Sequence, residues 1–207
     1  MPVFLEGPEL DALKARAKKQ LRNRARAVRS AMPRSALKLR SDSIASRIDA
    51  LPELASARSV ALFWPMEGRG EVDLRDTFAR CRARGLRVYY PVSGETWQGG
   101  GFSQVDGEDE LEERGRGFLE PPPEAPRASA SDIDVIVVPA LGVSSSGHRL
   151  GYGAGFYDAI LPRFRPPAFA VVVAYDFEML AEVPVLPHDV ACDAVVTDSR
   201  VLRIVAP

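Results

Sequence analysis

A glycine-rich stretch between residues 147 and 158 holds the residue types best suited to binding a phosphate group. Four glycines fall within the nine positions from Gly147 to Gly155. Glycine permits positive φ and lets backbone N–H groups approach an anion without interference from a Cβ. Arg149 adds a guanidinium whose fork of donors matches phosphate oxygens. No Gly-Lys-Ser or Gly-Lys-Thr ends the stretch as in a Walker loop, and the glycine spacing is not a clean dinucleotide fingerprint. Phosphate binding and a purely structural turn therefore both remain open.

The basic run from Ala12 to Ser41 is a second feature that could bind an anion. It contains eleven Lys or Arg and no acidic residue, although the formal net charge of the chain is -1. A solvated helix face, a phosphate-binding face and a nucleic-acid-binding module are the three interpretations. The sequence pI near 6.2 and the few aromatic residues beside the run disfavour the last, because bases would find no stacking platform. We expect no nucleic-acid partner.

Two helices are predicted across residues 10–51. Apolar residues recur at helical spacing from Leu10 to Met32, with Lys and Arg on the other faces, and Pro33 should end this first helix. A second helix is predicted from about Leu37 to Leu51, closed before Pro52 because the residue that precedes proline disfavours helical geometry. This N-terminal pair carries most of the basic run.

Residues 58–205 are predicted to form an α/β core. Its nearly continuous apolar runs are typical of strands covered on both faces, and alternation with helical stretches indicates a parallel sheet. The predicted strands lie at 58–64, 86–91, 134–139, 169–174, 195–197 and 201–205, and the predicted helices at 73–84 and 153–164. We therefore expect one α/β domain over residues 1–207, with a largely parallel central sheet flanked by helices and preceded by the basic helical pair. The glycine-rich stretch would follow a strand, at the edge where open α/β sheets bind ligands.

Composition limits the classes of protein that the chain can represent. Hydrophobic residues make up 46% and charged residues 27%, as in folded globular proteins. The apolar runs are too short to cross a bilayer, and the first ten residues lack a signal-peptide pattern. Cys81 and Cys192 provide neither a disulfide framework nor a zinc site. We expect a cytoplasmic protein without a membrane partner, and a monomer.

One long string identifies a family that the chain resembles. Pro139-Ala140-Leu141, followed by Gly-x-Arg-Leu-Gly-Tyr-Gly-x-Gly-Phe-Tyr-Asp at residues 147–158, closely resembles the signature of the 5-formyltetrahydrofolate cyclo-ligases, also called 5,10-methenyltetrahydrofolate synthetases. The resemblance continues in the family's order over nearly the whole chain. Its other segments are Lys18 to Arg22, Gly70 to Asp73, Tyr90-Pro91, Gly117 to Pro121, Ala174 to Asp176, Pro184, His188 to Val190 and Asp193 to Thr197.

The resemblance implies an enzyme that uses ATP and Mg²⁺ to cyclise 5-formyltetrahydrofolate to 5,10-methenyltetrahydrofolate, with release of ADP and phosphate. The folate substrate could carry a polyglutamate tail. Phosphorylation of the formyl oxygen to an imidate phosphate would turn a poor leaving group into a good one. By this resemblance the ATP-binding residues are Lys18, Lys19, Arg22, Arg149, Leu150, Gly151, Tyr152, Gly153, Ala154, Gly155, Phe156 and Tyr157.

The remaining roles that the resemblance implies concern catalysis, metal and folate. Arg149 and Tyr157 are the catalytic candidates, and Asp158 and Asp189 match the magnesium positions, with Asp193 as a substitute. Glu71 matches the acidic residue that contacts the folate, although an ordinary turn carboxylate is its structural rival. Tyr152 and the apolar side chains Trp64, Met66 and Phe156 are candidates for the walls around the folate rings, with core packing as the alternative.

Two departures from the family pattern bear on affinity. Ala154 stands where the family usually has Gly or a basic residue, so its methyl group could restrict φ or remove a phosphate contact. Val143-Ser144 replaces a more usual Phe-Asp and could alter the folate pocket. An ATP-dependent enzyme of the same fold with a different acceptor is therefore the alternative function. Residues 93–132, which are rich in Gly, Pro and acidic residues, are predicted to be loops and short strands that could cover the site.

Overall fold

The N-terminal helices are the first elements of the computed structural model, which describes residues 7–96, 99–114 and 117–205. Helix α1 spans Pro8–Ala31 and α2 spans Arg34–Asp49, with Pro33 between them as predicted. A further short helix, α3, spans Pro52–Ser56, and the sequence patterns do not predict it. The second helix does end before Pro52, but proline has a φ suited to a first helical turn and needs no partner for a missing N–H, so it begins α3.

A seven-stranded sheet forms the centre of the molecule. In chain order its strands are β1 (Ser59–Ala61), β2 (Arg87–Val92), β3 (Gly101–Val105), β6 (Val135–Pro139), β9 (Phe169–Val173), β11 (Ala194–Val196) and β12 (Val201–Arg203). Their order across the sheet is β12-β11-β9-β6-β1-β2-β3. The inner pairs are parallel, whereas β12 and β3 pair antiparallel at the two edges. The predicted α/β fold with a largely parallel sheet is confirmed.

Helices cover both faces of this sheet. Helix α4 (Arg75–Ala83) joins β1 to β2, and α5 (Phe156–Phe164) lies between β6 and β9. Along β6, Val135 and Val137 pack in one apolar cluster with residues of α2 and α4, whereas Ile136 and Val138 pack in another with residues of α5. Successive side chains of a strand point to opposite faces, so each face of the sheet has its own helical layer. No helix in the described ranges is both long and apolar enough to cross a membrane.

Short strands connect the sheet to the glycine-rich stretch. Strands β7 (Gly142–Ser144) and β8 (Arg149–Leu150) follow β6 as a hairpin, and β10 (Met179–Leu180) pairs with β7. Between β3 and β6, β4 (Glu112–Glu113) pairs with β5 (Leu119–Glu120). This agrees with the loops and short strands predicted there, although β3 is a full edge strand of the main sheet.

The start of α5 differs from the prediction. The sequence predicts a helix from about Gly153, but the helix begins at Phe156. Gly153 has φ +106° and Gly155 has φ +73°, values that do not belong to a right-handed helix. The glycines therefore remain in the turn that leads into the helix.

Gly147 is expected to tolerate a side chain poorly. Its φ is +79°, and a Cβ there would lie 2.6 Å from the carbonyl oxygen of Cys192. Gly85 also has φ +79°, but in the described part of the chain no atom lies within 4 Å of the place that its Cβ would occupy, which makes it a matched control. Gly85→Ala should lower the free energy of unfolding by about 1 kcal/mol, the cost of the left-handed conformation. Gly147→Ala should lower it by about 2 kcal/mol more, because the clash adds to that cost. Equal losses in urea unfolding would contradict this account.

Candidate active site

A cavity of about 550 Å³ opens at the carboxyl end of the parallel strands, and residues at or just after the ends of β1, β2 and β6 line it. Helix α1 forms one side of it and the turn into α5 forms another. Its lining residues are Ala15, Lys18, Arg22, Arg26, Phe63, Trp64, Met66, Arg69, Glu71, Pro91, Phe118, Leu119, Pro139, Arg149, Gly151 to Asp158, Leu186, His188 and Asp189. The position is the one at which open α/β sheets bind ligands.

One face of α1 brings cations to this cavity. Lys18 is 5% exposed and forms an ion pair with Asp189. Arg22 donates from Nε to the carbonyl oxygen of Gly151 at 2.9 Å. Burial lowers the pKa of Arg22, and the neighbouring Arg26 adds to this effect. Two cations close together in a partly buried wall favour an anionic ligand.

The spacing of these cations is a signal that the sequence analysis did not use. Lys18, Arg22, Arg26 and Arg29 follow one another at intervals of four, four and three residues, which puts them on one side of a helix. Arg26 donates from Nη2 to the carbonyl oxygen of Tyr152 at 3.2 Å. Lys19, by contrast, is exposed and lies outside the cavity lining.

The glycine-rich turn packs against the same helix. Cζ of Arg22 lies 3.5 Å from the position that a Cβ on Gly153 would occupy, so the guanidinium rests against this turn. Gly155 is the N-cap of α5 and has no side-chain acceptor of its own, which suits this helix N-terminus to an external anion. Ala154 lines the cavity with φ outside the positive range, so the strain considered for its methyl group does not arise.

Arg149 and Asp158 form an ion pair at the base of the turn. Nη2 of Arg149 donates to Oδ1 of Asp158 at 2.7 Å, and Nη1 donates to the carbonyl oxygen of Val190 at 2.6 Å. The backbone N–H of Val190 in turn donates to Oδ1 of Asp158 at 3.2 Å. Arg149 is 7% exposed, and its two partners Asp158 and Val190 hold its guanidinium in place beside the cavity.

The hydroxyl of Tyr157 is buried and has no hydrogen-bond partner among the residues that the structure describes. Burial raises the pKa of this phenol well above its usual value, with the charge of Glu71 acting in the same direction. The group is therefore a neutral donor over the physiological pH range. A buried donor without a partner is rare in folded proteins and is a natural contact for a ligand.

The carboxylates suit a metal only if the ligand itself supplies further oxygens. Asp158 and Asp189 both line the cavity, and each already pairs with a cation of the site. Within the described ranges no cluster of three or more His, Cys, Asp or Glu could hold a metal ion. Mg²⁺ commonly binds through one or two carboxylates together with phosphate oxygens and water, so this donor set fits a magnesium–phosphate complex.

The opposite wall combines apolar surface with one buried carboxylate. Glu71 is 7% exposed and accepts a hydrogen bond from the backbone N–H of Met66 at 2.5 Å. Burial raises its pKa, against the opposing effect of the Met66 N–H, the Tyr152 hydroxyl and nearby arginines. Trp64 lines the cavity and also packs edge-on against Tyr90, with ring centroids 6.2 Å apart. Trp64 thus combines the core and cavity roles that the sequence left as alternatives.

Comparison with known proteins identifies the family of this chain. Residues 14–198 match the 5-formyltetrahydrofolate cyclo-ligase family. The chain belongs to this family. A 5-formyltetrahydrofolate cyclo-ligase of Mycolicibacterium smegmatis is 34% identical over 190 residues, 89% of this chain and 95% of that protein. The Escherichia coli (strain K12) cyclo-ligase is 30% identical over 160 residues, 76% of this chain and 87% of that protein.

Solved structures of cyclo-ligase relatives have the same fold. The NMR structure of the Aquifex aeolicus 5,10-methenyltetrahydrofolate synthetase superposes with a TM-score of 0.79 at 29% identity and covers 92% of this chain and 94% of its own. A synthetase from Mycoplasma pneumoniae superposes with a TM-score of 0.69 at 22% identity, covering 87% and 98%, and supports the fold alone. The family resemblance seen in the sequence is therefore confirmed, and the protein described here is a ligase.

Most of the site residues expected from the family pattern lie around the cavity, and a few lie elsewhere. Leu150 is fully buried in β8, and its carbonyl oxygen accepts from the N–H of Leu141 at 2.8 Å. Asp193 pairs with Arg165 outside the lining. Val143 and Ser144 are buried in β7 and also lie outside it. The wall includes further residues absent from the sequence-based site: Ala15, Arg26, Phe63, Arg69, Pro91, Phe118, Leu119, Pro139, Leu186 and His188.

Removal of the Glu71 charge is expected to stabilise the protein at neutral pH. Because burial raises the pKa of Glu71 in the folded state, folding favours its protonated form, and stability is lost as pH rises from the unfolded pKa through the folded pKa. Glu71→Gln should therefore have a higher free energy of unfolding than the wild type at pH 7 to 8. The difference should vanish below about pH 4, near the unfolded pKa.

Asp132 provides a control of opposite sign for this measurement. Hydrogen bonds from the Ser129 side chain and backbone lower its pKa, so its charge contributes stability above the unfolded pKa. Asp132→Asn should lose stability at pH 7 to 8, where Glu71→Gln gains it. Urea unfolding of both variants across pH checks the two signs, and a loss of stability in Glu71→Gln at neutral pH would contradict the assignment.

Proposed function

We propose that this protein cyclises 5-formyltetrahydrofolate to 5,10-methenyltetrahydrofolate in a reaction that consumes ATP and requires Mg²⁺. One observation carries the proposal. A single cavity combines a cationic wall, formed by α1 and the glycine-rich turn, with an apolar wall that contains one buried carboxylate. The first suits a triphosphate, and the second suits a flat heterocycle with N–H donors.

The proposed reaction proceeds in two steps. The formyl oxygen attacks the γ-phosphorus of ATP, the bond to the bridging oxygen breaks, and ADP leaves. The resulting imidate phosphate is attacked at its formyl carbon by the neighbouring folate nitrogen, which loses its proton. The carbon–oxygen bond then breaks, and the formyl oxygen departs as part of the phosphate. Phosphoryl transfer of this kind depends mostly on positioning and charge neutralisation.

The cationic wall has the side chains for that task. Lys18 and Arg22 face the turn from α1, and Arg149 faces it from β8. Backbone N–H groups at the start of α5 add donors beside them. Lys18 already pairs with Asp189, and Arg149 with Asp158, so ATP phosphates would replace or join carboxylates that now neutralise these cations. These two carboxylates are the residues that would hold Mg²⁺, which would screen the charge between the phosphates and the attacking oxygen.

Tyr157 and Glu71 are the proposed contacts near the reacting carbon and the pterin. The buried Tyr157 hydroxyl, which stays protonated because burial raises its pKa, would donate to the formyl or transferring phosphoryl oxygen. Glu71 would accept hydrogen bonds from pterin N–H groups in its charged form. Trp64, Met66 and Phe156 would pack against the rings from the apolar wall.

The alternative functions have less support from the cavity. The residues that depart from the family pattern at Val143 and Ser144 lie outside the lining, which weakens the reason to expect a different acceptor. Lys18, Arg22 and Arg26 face the cavity and contact groups of the same chain, so this face of α1 has a use without nucleic acid. We retain the alternative acceptor as the second candidate, because the cationic wall supports a phosphate donor and does not bear on the acceptor.

The proposed reaction is tested by mixing the purified protein with 5-formyltetrahydrofolate, ATP and Mg²⁺ and following the absorbance of the methenyl product. The band should grow in the complete mixture and stay flat when ATP is omitted or Mg²⁺ is chelated. Asp158→Asn should lower kcat/KM by at least about 100-fold, because both the metal and Arg149 lose a charged partner. ATP binding without a methenyl band in the wild type would overturn the folate assignment and favour another acceptor.

Glu53→Gln is the matched control for the Asp158 variant. Glu53 also accepts hydrogen bonds from an arginine, Arg203, but this pair lies on the surface and outside the cavity lining. The variant should keep wild-type kcat/KM, since it removes a carboxylate from an arginine pair without touching the site. An equal loss in both variants would show that activity responds to general destabilisation.

Lys18 and Lys19 offer a contrast within one turn of α1. Lys18 lines the cavity, whereas Lys19 is exposed on the outer side of the helix. Lys18→Met should raise the KM for ATP by roughly tenfold or more, the effect of losing one contact to a charged phosphate. Lys19→Met should change it by less than about twofold. Steady-state kinetics at saturating folate measures both, and a larger effect at Lys19 would contradict the proposed phosphate wall.

A further inference from the structure

Arg29 is the most deeply buried cation of α1 and does not line the cavity. It is 2% exposed, and its guanidinium bonds to three different parts of the chain. Nη2 donates to the carbonyl oxygen of Ala140 at 2.6 Å, and Nη1 donates to the hydroxyl of Tyr152 at 2.7 Å. Nε and Nη2 donate to the two carboxylate oxygens of Glu178 at 2.6 and 2.8 Å. The family resemblance assigns no role to either Arg29 or Glu178.

The pairing with Glu178 keeps the arginine charged and in a fixed orientation. Glu178 is 5% exposed, and it also accepts from the backbone N–H of Tyr175 at 3.0 Å. Burial opposes the charge of Arg29, but the hydrogen bonds and charge of Glu178 outweigh it, so the pKa of Arg29 is raised. A two-point pair between planar groups leaves the remaining Nη1 donor little freedom. That donor points to Tyr152.

The Tyr152 hydroxyl connects this arginine to the carboxylate of the folate wall. Tyr152 lines the cavity, and its hydroxyl acts on the Glu71 carboxylate as a hydrogen-bond donor that lowers the pKa of Glu71. A phenol has one hydrogen to donate. Since Arg29 already donates to the phenolic oxygen, the Tyr152 hydrogen is available for the Glu71 carboxylate. The three groups form a chain of donors that ends at the cavity surface.

Arg29 also supports the backbone on which Glu71 is carried. A Cβ on Gly70, which has φ +62°, would lie 3.3 Å from Cγ of Arg29. The aliphatic part of the arginine therefore lies directly against the residue that precedes Glu71. One side chain thus contacts the glycine-rich turn through Tyr152, the strand end through Ala140 and the folate wall through Gly70.

We propose that Arg29 is a positioning residue of this enzyme, which holds the Tyr152 hydroxyl as a donor to Glu71 and thereby keeps Glu71 charged and oriented toward the folate. This inference rests on the proposed function, in which Glu71 accepts hydrogen bonds from the pterin. Arg29 touches neither substrate. It acts through Tyr152, and its loss should weaken folate binding before it weakens ATP binding.

The relay has a consequence for pH dependence. The ionisable groups that face Glu71 are Arg29 of α1, Arg69 of its own loop, and Tyr152 and Tyr157 of the glycine-rich segment and α5. The Tyr152 hydrogen bond and the Arg29 charge both lower the pKa of Glu71 against the larger effect of burial. Removal of either should raise that pKa further. Folate affinity, which needs the carboxylate, would then be lost at a higher pH during acidification.

The test compares Tyr152→Phe, Arg29→Lys and the double variant with the wild type. Tyr152→Phe removes only the hydroxyl, and Arg29→Lys keeps the charge but cannot make the two-point pair and the third contact together. Arg40→Lys is the control, because Arg40 also pairs with a carboxylate, Asp198, and lies outside the cavity lining. Calorimetric dissociation constants for 5-formyltetrahydrofolate are measured from pH 5.5 to 8.5, with kcat/KM in parallel and the ATP dissociation constant at pH 7.5.

We expect Tyr152→Phe and Arg29→Lys each to weaken folate binding by roughly tenfold at pH 7 and to move its acidic midpoint to higher pH. The double variant should be no worse than the poorer single variant, since both changes break one chain of contacts. The ATP dissociation constant should change by less than about threefold, because Arg22 and Arg26 hold the backbone of the turn independently. Arg40→Lys should match the wild type in all three measurements.

The opposing outcomes separate this inference from the function on which it rests. Suppose that the wild type cyclises the folate and that the acidic midpoint of folate binding is unshifted in both single variants. This result would leave the proposed function intact and overturn the proposed role of Arg29. Strong loss in Arg29→Lys with wild-type behaviour in Tyr152→Phe also overturns it, because Arg29 would then be structural only. If the wild type binds 5-formyltetrahydrofolate without turnover, the proposed reaction is contradicted. The pH midpoints of folate binding in the variants still test the role of Arg29. Absence of folate binding in the wild type overturns both.

Discussion

The cations on the inner face of α1 impose the constraint on which the site depends. A guanidinium or ammonium that leaves water must recover its lost hydration from carboxylates or carbonyl oxygens. Arg29 and Lys18 pair with carboxylates from distant parts of the chain, whereas Arg22 and Arg26 donate to carbonyl oxygens of the glycine-rich turn. Because these partners have fixed positions in the fold, pairing all four cations with them also determines where the helix lies. The helix and the turn shape each other, and the cavity is the space left between them.

The central architecture could be predicted from sequence because its signals are local. The strand around Val137 and its neighbour around Val171 are apolar at nearly every position, as strands covered on both faces must be. Glycines at 153 and 155 mark a turn before a helix without reference to the rest of the fold. Parallel topology then puts that turn at the carboxyl edge of the sheet, which is why the general position of the site followed from the order of elements.

Other features depend on packing that no short stretch of sequence contains. Lys18 and Lys19 are neighbours of the same type, and only the rotation of α1 against the sheet sends one inward and leaves the other in water. In the sequence Arg29 cannot be told apart from the other basic residues of α1, because its partner Glu178 lies 149 positions later in the chain. Strand β3 has no strong alternating pattern of apolar residues. Its backbone pairing with β2 holds it in the sheet, and this pairing cannot be read from its side chains. Each miss is a case in which a distant partner decides the role of a residue.

The ion pair between Lys18 and Asp189 joins residues 171 positions apart. During synthesis the helix that carries the cavity-lining cations Lys18, Arg22 and Arg26 leaves the ribosome long before the segment that contains Asp189. Contacts of such large sequence separation form late, because the entropy of closing the intervening chain must be met first. A nascent or partly folded chain therefore exposes an uncompensated basic helix. Capture of that helix by the segment around Asp189 would be a late event in folding, so the wall that α1 contributes to the cavity would be completed only after that distant segment had folded.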